Sequence, residues 1–362
     1  MSNNQLIKSD PLRGGVAPST THLSKEVLDL SEFIKDKSNS LVDRLESYED
    51  IMSIEIGDTP LTRMRNVERE TGLKQLFLKF EGGNPSGTQK DRIAFAQCLD
   101  ALRRGFDIIT IATCGNFGAA MAQASFLAGL RCILYIPESY HTDRISEMTL
   151  YGADVIRYPG SYEDNVYHSQ AEAKENAWYD ANPGGKNANL QISAYAEIAY
   201  EIYDVLRDAP KIVASPVSNG TMLAGIYRGF VTLFRRGRTS RIPIMVAGSS
   251  YRKNPIVESF RRGFETCIDL EESRITETKV NEPLINWHSF DGDEALYAIR
   301  KSKGYAANVT DERMLRYAKN LREKEGLQVL PASTAGLIAL MEMHKESILD
   351  SDRYVAVITG RK

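Results

Sequence analysis

Lys90 stands where a lysine is electrostatically awkward. The stretch Lys79-Phe-Glu-Gly-Gly-Asn84-Pro85-Ser86-Gly87-Thr88-Gln-Lys90-Asp91-Arg92 leaves an apolar run, turns on its Gly, Asn and Pro residues, and enters a helical pattern that Ser86 or Thr88 can cap. A cation in a helix's first turn adds charge to a pole that is already positive. The same misfit lowers the cost of losing the proton, and a neutral amine is what imine formation needs. The competing reading is a solvated surface lysine beside Asp91 and Arg92, and this stretch alone does not separate the two.

Three other stretches hold residues that suit a small anionic or cyclic ligand. In Thr110-Ile-Ala-Thr113-Cys114-Gly115-Asn116-Phe117-Gly118 the glycines permit a tight turn. The helix start that follows offers N–H groups to a carboxylate, and the Asn116 amide can bond a ring oxygen. Ser215-Pro-Val-Ser218-Asn219-Gly220-Thr221-Met222 also runs from an apolar segment into a helical one. It is neither a Walker loop nor a G-x-G-x-x-G fingerprint. Successive N–H groups with the hydroxyls of Ser218 and Thr221 nevertheless make a phosphate cup. Near the C-terminus, Ser333 and Thr334 read as a helix N-cap, and Val355-Ala-Val-Ile-Thr359-Gly360 as a buried strand ending in a hydroxyl. Each of these turns also fits a strand–turn–helix junction with no ligand.

Such turns need elements to position them. Strand candidates are 76–80, 108–112, 132–136, 155–158, 212–217, 244–247 and 354–358. Helical patterns fall at about 24–50, 90–104, 116–128, 142–151, 162–179, 193–207, 221–236, 311–325 and 334–348. That alternation predicts an α/β fold of parallel sheets with helices on both faces, and a length of 362 residues suits two such parallel-sheet domains or one elaborated α/β unit. Ligands in such folds bind at the carboxyl ends of strands, where all of these turns lie. The stretch 252–303 is irregular and reads as surface elaboration with an extra helix.

Composition narrows the functional classes. A formal net charge of −3 over 362 residues gives no global field for nucleic acid or anionic lipid. No apolar run is long enough to span a membrane, and MSNNQLIKSD lacks a leader's apolar stretch. The four cysteines (Cys98, Cys114, Cys132, Cys267) have no redox or zinc spacing and suit a reducing cytoplasm; Cys98 and Cys132 fall in apolar, core-type patterns. His22, His141, His168, His288 and His344 are scattered, so no metal site is expected.

Five motifs in order carry a family likeness: Ile56-Gly-Asp-Thr-Pro-Leu61, the Lys90 segment, Cys114-Gly-Asn116, the 218–222 loop and Thr359-Gly360. With them the chain resembles the tryptophan-synthase-like, fold-type II pyridoxal-phosphate enzymes over Ile56 to Lys362, threonine synthase most and cysteine synthase next. The resemblance implies pyridoxal 5′-phosphate as cofactor, held between two domains. It gives Lys90 the Schiff base and catalysis, and Asn116 the ring oxygen. Ser218, Asn219, Gly220, Thr221 and Met222 would take the phosphate, and Thr359 the pyridine nitrogen. Thr113, Cys114, Gly115, Phe117 and Gln191 would face the substrate. It further implies a large cofactor-binding domain of residues 24–92 and 191–362, a smaller mobile domain of 93–190 and a homodimer; residues 1–23, polar and rich in Ser, Thr, Asn and Gly, read as an irregular arm.

The implied reaction is replacement or elimination on a small, O-activated serine-, homoserine- or threonine-like amino acid, with a small nucleophile as second reactant. Serine/threonine dehydration and a non-catalytic binding protein on the same fold are the alternatives. An unrelated nucleotide-binding α/β protein fits less well, for want of an acidic residue at the required distance after a glycine fingerprint. Departures from the pattern gather on the substrate side. Gln89 stands where the family has Phe, Phe117 where it has a small Thr, and Cys114 where it has Ser. Asn187–Ser193 lacks the arginine with which threonine synthase grips phosphate, the phosphate loop has one glycine, and Thr359-Gly-Arg-Lys replaces the usual ending. Together they point away from phosphohomoserine.

Overall fold

The computed structural model describes residues 6–7, 23–140 and 142–362. Apart from Leu6–Ile7 and Leu23, the arm expected over 1–23 lies outside the described residues, as do His22 and His141. In chain order, β1 (Leu6–Ile7) is followed by helices α1 (Lys25–Lys35) and α2 (Leu41–Glu55). Then come β2 (Leu61–Arg63), α3 (Arg65–Thr71) and β3 (Leu76–Phe80). The middle of the chain holds α4 (Lys90–Arg103), β4 (Ile108–Ala112), α5 (Asn116–Ala128), β5 (Arg131–Pro137), α6 (Ile145–Leu150), β6 (Asp154–Tyr158), α7 (Tyr162–Glu175) and β7 (Tyr179–Asp180). The rest is α8 (Ala188–Leu206), β8 (Ile212–Pro216), α9 (Thr221–Arg235), β9 (Ile244–Ser250), α10 (Pro255–Arg261), α11 (Gly292–Lys301), β10 (Tyr305–Val309), α12 (Asp311–Glu325), α13 (Ala335–Glu346) and β11 (Tyr354–Ile358).

By its internal contacts the chain divides into two units. One comprises the described residues up to Ile56 with Lys90–Leu190, and the other Gly57–Gln89 with Gln191–Lys362. The family likeness groups 24–92 with 191–362. In the structure α1 and α2 lie instead with the first unit, because their buried faces are committed there. Tyr48 donates to the Ala124 carbonyl at 3.1 Å and stacks on Phe95, and Ser31 donates to the Leu127 carbonyl. The single helix expected from 24 to 50 is broken at Asp36–Ser40, where Ser40 caps α2 through the Asp43 N–H.

The first unit carries the sheet β1-β6-β5-β4-β7, parallel except for β1. Helices α5 and α7 pack against β4 and β5. α5 is built almost wholly of small and apolar residues and is buried along nearly its whole length, as expected of a helix packed on more than one side. The second unit carries β10-β9-β8-β11-β3-β2, parallel except for β2. Its core joins Leu76, Leu78, Ile212, Val246, Leu337, Leu340, Tyr354 and Ile358. Two mainly parallel sheets covered by helices are thus the architecture, with an antiparallel strand at one edge of each. β10 was not expected from Tyr305-Ala-Ala-Asn-Val; it forms as an edge strand paired in parallel with β9.

Candidate active site

In the first unit, Lys90 is the first residue of α4, and its Nζ lies 5.0 Å from the centre of the Phe117 ring. Phe117 is buried. The Phe117 ring therefore stands beside the amine itself. The turn between β4 and α5 is organised by Thr113. Its buried hydroxyl accepts from the Gly115 N–H at 3.1 Å and the Gly118 N–H at 2.9 Å. Gly115 has φ +155°, and a Cβ there would lie 2.8 Å from the Thr142 hydroxyl. Thr113 and Gly115 thus shape the turn, while Cys114 and Asn116 are its partly exposed members.

Asn116 has a partner that sequence reasoning missed. Arg144, on the loop that leads into α6, donates through Nη1 to the Asn116 Oδ1 at 2.8 Å. Its Nε and Nη2 hold both carboxylate oxygens of Glu147 at 3.0 and 2.5 Å. The spacing of Arg144 and Glu147 hinted at an i,i+3 pair; nothing in the sequence pointed from either to Asn116.

In the second unit, Ser218–Met222 form one turn at the carboxyl end of β8. Gly220 is the N-cap of α9 with φ +96° and, as a glycine, offers no side-chain cap. N–H groups in a helix's first turn are the kind that can hold an anion. A Cβ on Gly220 would come within 2.7 Å of the Ala295 Cβ and 2.8 Å of the Asp291 carbonyl oxygen, so the turn is seated closely. Gly225 and Gly229 let α9 approach the backbone of α8 at Ile192 and Ala196.

The turn is braced by residues from the stretch read as surface elaboration. Asn254 donates to the Ser218 carbonyl at 3.0 Å and Ser289 to the same oxygen at 3.2 Å. Asn286 reaches the Asn219 Oδ1 at 3.4 Å, and the Asp291 N–H bonds the Asn219 carbonyl at 3.1 Å. All four of these bracing residues are buried. The Thr221 hydroxyl, expected to serve a phosphate, instead donates to the Asp291 carboxylate. Only Asn254 left a trace in the sequence, as an Asn-Pro helix start, and it does cap α10.

Thr359 lies just past β11, partly exposed. Its carbonyl accepts the Gln89 N–H at 3.0 Å, one peptide before Lys90. Gly360 bridges Thr88, and the Arg361 N–H bonds the Gly87 carbonyl at 2.9 Å. The Arg361 guanidinium holds the carbonyls of Gly82 at 3.1 Å and Pro85 at 3.0 Å. Gln191 is buried on α8. Ser333 and Thr334 do not cap α13 as expected. Their hydroxyls turn back to the carbonyls of Leu330 and Pro331, because the chain enters α13 through a 3-10 turn.

Two buried thiols are muted. Burial pushes the Cys98 thiol up to about 12 against the lowering bonds of Ser125 and Tyr48, and burial also raises the Cys132 thiol. No cluster of three His, Cys, Asp or Glu suited to a metal ion occurs among the described residues, and no helix among them is long and apolar enough to cross a membrane.

The family model for the pyridoxal-phosphate-dependent enzymes matches residues 52–360. The threonine synthase of Methanocaldococcus jannaschii is 33% identical over 315 residues, covering 86% of this chain and 76% of that protein. The threonine synthase of Methanosarcina acetivorans is 28% identical over 312 residues, covering 85% and 75%. Among solved structures, maize serine racemase superposes with a TM-score of 0.72 at 20% identity, covering 88% of this chain and 92% of that one. The serine racemase of Dictyostelium discoideum gives 0.69 at 17%, covering 89% and 98%. At those identities the two structures speak for the fold.

Proposed function

The chain belongs to the pyridoxal-phosphate-dependent enzymes, and on that premise we propose that it catalyses replacement or elimination on a small, O-activated amino acid, with Lys90 as the catalytic residue. The observation that carries the reading is the presence in one chain of a half-buried lysine at the first position of α4 and of a closely seated, glycine-capped helix start at α9. An amine for an aldehyde and N–H groups for a phosphate are the two grips such a cofactor requires. The close seating of Gly220, which leaves no space for a side chain, supports the assignment of Ser218–Met222 to the phosphate. Asn116 is assigned the ring oxygen, and Thr359 the pyridine nitrogen. In its neutral hydroxyl form Thr359 does not stabilise a protonated ring, which favours elimination and replacement over transamination.

When bound, pyridoxal phosphate supplies an electron sink for negative charge at the substrate's α carbon. Lys90 would hold the cofactor through Nζ. As a free amine, Nζ would be the group to take the proton from the substrate's α carbon and to return one to the leaving group or the product. Thr113 and Gly115 fix the turn at the start of α5, whose N–H groups and partly exposed Cys114 receive the substrate carboxylate. Phe117 fills space beside Nζ and limits the substrate's side chain. Gln191 completes the substrate side.

Two measurements test the reading. Purified protein supplied with pyridoxal phosphate is expected to gain a visible absorbance band that Lys90→Ala abolishes; a colourless protein unable to take up the cofactor overturns it. Titration with O-acetylserine, O-phosphoserine and O-phosphohomoserine then sorts the substrate by the spectral change each produces. Conversion of O-phosphohomoserine to threonine at the highest kcat/KM of the three would overturn the role given to Phe117.

A further inference from the structure

An asparagine assigned to a ring oxygen has two faces, a donor and an acceptor, related by a half-turn of the amide. Only the donor face suits an oxygen that carries negative charge. What decides between the faces is the group behind the amide. Arg144 has five N–H donors and no acceptor. With Nη1 at 2.8 Å from the Asn116 Oδ1, it accepts no arrangement but the one that turns the Asn116 NH2 away from itself. The guanidinium is itself held. Glu147 takes Nε and Nη2 in a two-point grip, which fixes the plane and aims Nη1. The Arg144 N–H also bonds the Thr142 hydroxyl at 3.2 Å, and that hydroxyl is what a Cβ on Gly115 would meet. The loop before α6 is thereby tied to the turn before α5.

Resting on the reading above, we propose that Arg144 is a positioning residue. With Glu147 as its brace, it locks the Asn116 amide with its N–H toward the cofactor's ring oxygen and polarises that donor. A charge-assisted bond behind an amide strengthens the bond in front of it, so the anionic form of the ring oxygen is stabilised by a residue that need not touch it.

The test uses the full chain, stripped of cofactor and titrated with pyridoxal 5′-phosphate, in wild-type, Arg144→Met, Arg144→Lys, Asn116→Ala and Arg144→Met/Asn116→Ala forms. Circular dichroism checks that each is folded. Arg144→Met and Asn116→Ala are each expected to weaken cofactor binding about tenfold, the worth of one charge-assisted hydrogen bond. Both shift the bound cofactor's absorbance toward the short-wavelength form with a protonated ring oxygen. The double variant is no worse than either single one, since both remove the same interaction. Arg144→Lys, which keeps one charged donor but loses the fork, recovers part of the wild-type band balance.

A weaker affinity with an unchanged band balance means that Arg144 only holds the loop, and overturns the proposal. So do additive effects in the double variant, or wild-type affinity and bands in Arg144→Met. If the wild-type chain takes up no cofactor, the functional reading falls and this inference with it. If its band is present and lost in Lys90→Ala while Arg144→Met is indistinguishable from wild type, this inference alone falls.

Discussion

Phe117 and Gly220 are single residues at which the proposed function can be tested. The Phe117 ring occupies the space beside the Lys90 Nζ, so Phe117→Thr restores room and a hydroxyl. The variant is expected to shift preference toward the substrate with the longer side chain, raising the kcat/KM ratio of O-phosphohomoserine to O-acetylserine about tenfold, the usual worth of one or two methylene groups of pocket space. An unchanged ratio would show that the ring does not bound the substrate. Gly220 sits at φ +96° with a backbone oxygen 2.8 Å from where a Cβ would be. Gly220→Ala is therefore expected to cost about 1–3 kcal/mol in urea unfolding and to weaken cofactor uptake. Wild-type stability would mean that the turn can shift to admit a methyl group.

Elements bring these residues to bear, and the loop between β3 and α4 is held from two directions. On one side is a buried polar network. Lys79, on β3, bonds Glu201 and the Thr59 carbonyl, and Thr59 donates to Glu81 at 2.7 Å. Asn84 closes the network on Glu81 and receives the Gly57 N–H. This explains why Gly57-Asp-Thr-Pro precedes the lysine segment at such a distance: it serves as a wall for the loop. Lys79→Met leaves Glu201 with its main cationic partner gone and is expected to cost about 3–5 kcal/mol in urea unfolding, with Lys79→Met/Glu201→Leu recovering much of it. A double variant no more stable than the single one would show that the charges are not acting as a pair. On the other side, the chain beyond β11 runs antiparallel to the loop. Arg361→Ala removes the ties to Gly82 and Pro85, and hydrogen exchange at the Gln89 N–H should quicken as the ladder to Thr359 frays. Unaltered exchange would limit Arg361 to a surface contact.

At the scale of the whole molecule the two units differ in how they carry carboxylates. In the second unit, burial pushes the carboxyls of Glu68, Asp208 and Asp352 up, but bonds outweigh it and leave all three low. The partners are Arg63 and the Leu76 N–H for Glu68, Ser240 and the Ala209 N–H for Asp208, and Arg241 with the Arg353 N–H for Asp352. A depressed pKa in the folded state means that the unfolded chain binds these protons more tightly. Stability from these groups is full above the ordinary carboxylate range and is lost as pH falls through it. In the first unit, the bonds of Ser38 lower Asp36 while burial raises Asp180, so acid works against fewer of its carboxyls. The second unit is thus expected to unfold first on acidification. Trp178 lies in the first unit and Trp287 in the second, so variants retaining one tryptophan each report the two separately. Coincident transitions, or an earlier change at Trp178, would sink the expectation.

The sequence by itself determined the turns to which the proposed function assigns chemistry. Lys90, Asn116, Ser218–Met222 and Thr359 each sit where an apolar run meets a glycine or a hydroxyl before a helix or the chain's last strand. That pattern is local, because strand, turn and helix start are set by neighbours a few residues apart. Most strand positions followed for the same reason. What only the tertiary structure decided is which side chains stand behind those turns. Arg144 reaches Asn116 across 28 residues, Asp291 reaches Thr221 across 70, and Arg361 reaches Gly82 across 279. β10 and the allegiance of α1 and α2 were likewise settled by packing partners rather than by their own patterns. A helix start or a turn is encoded in the spacing of adjacent residues. A brace is encoded only in the path of the chain that brings it there.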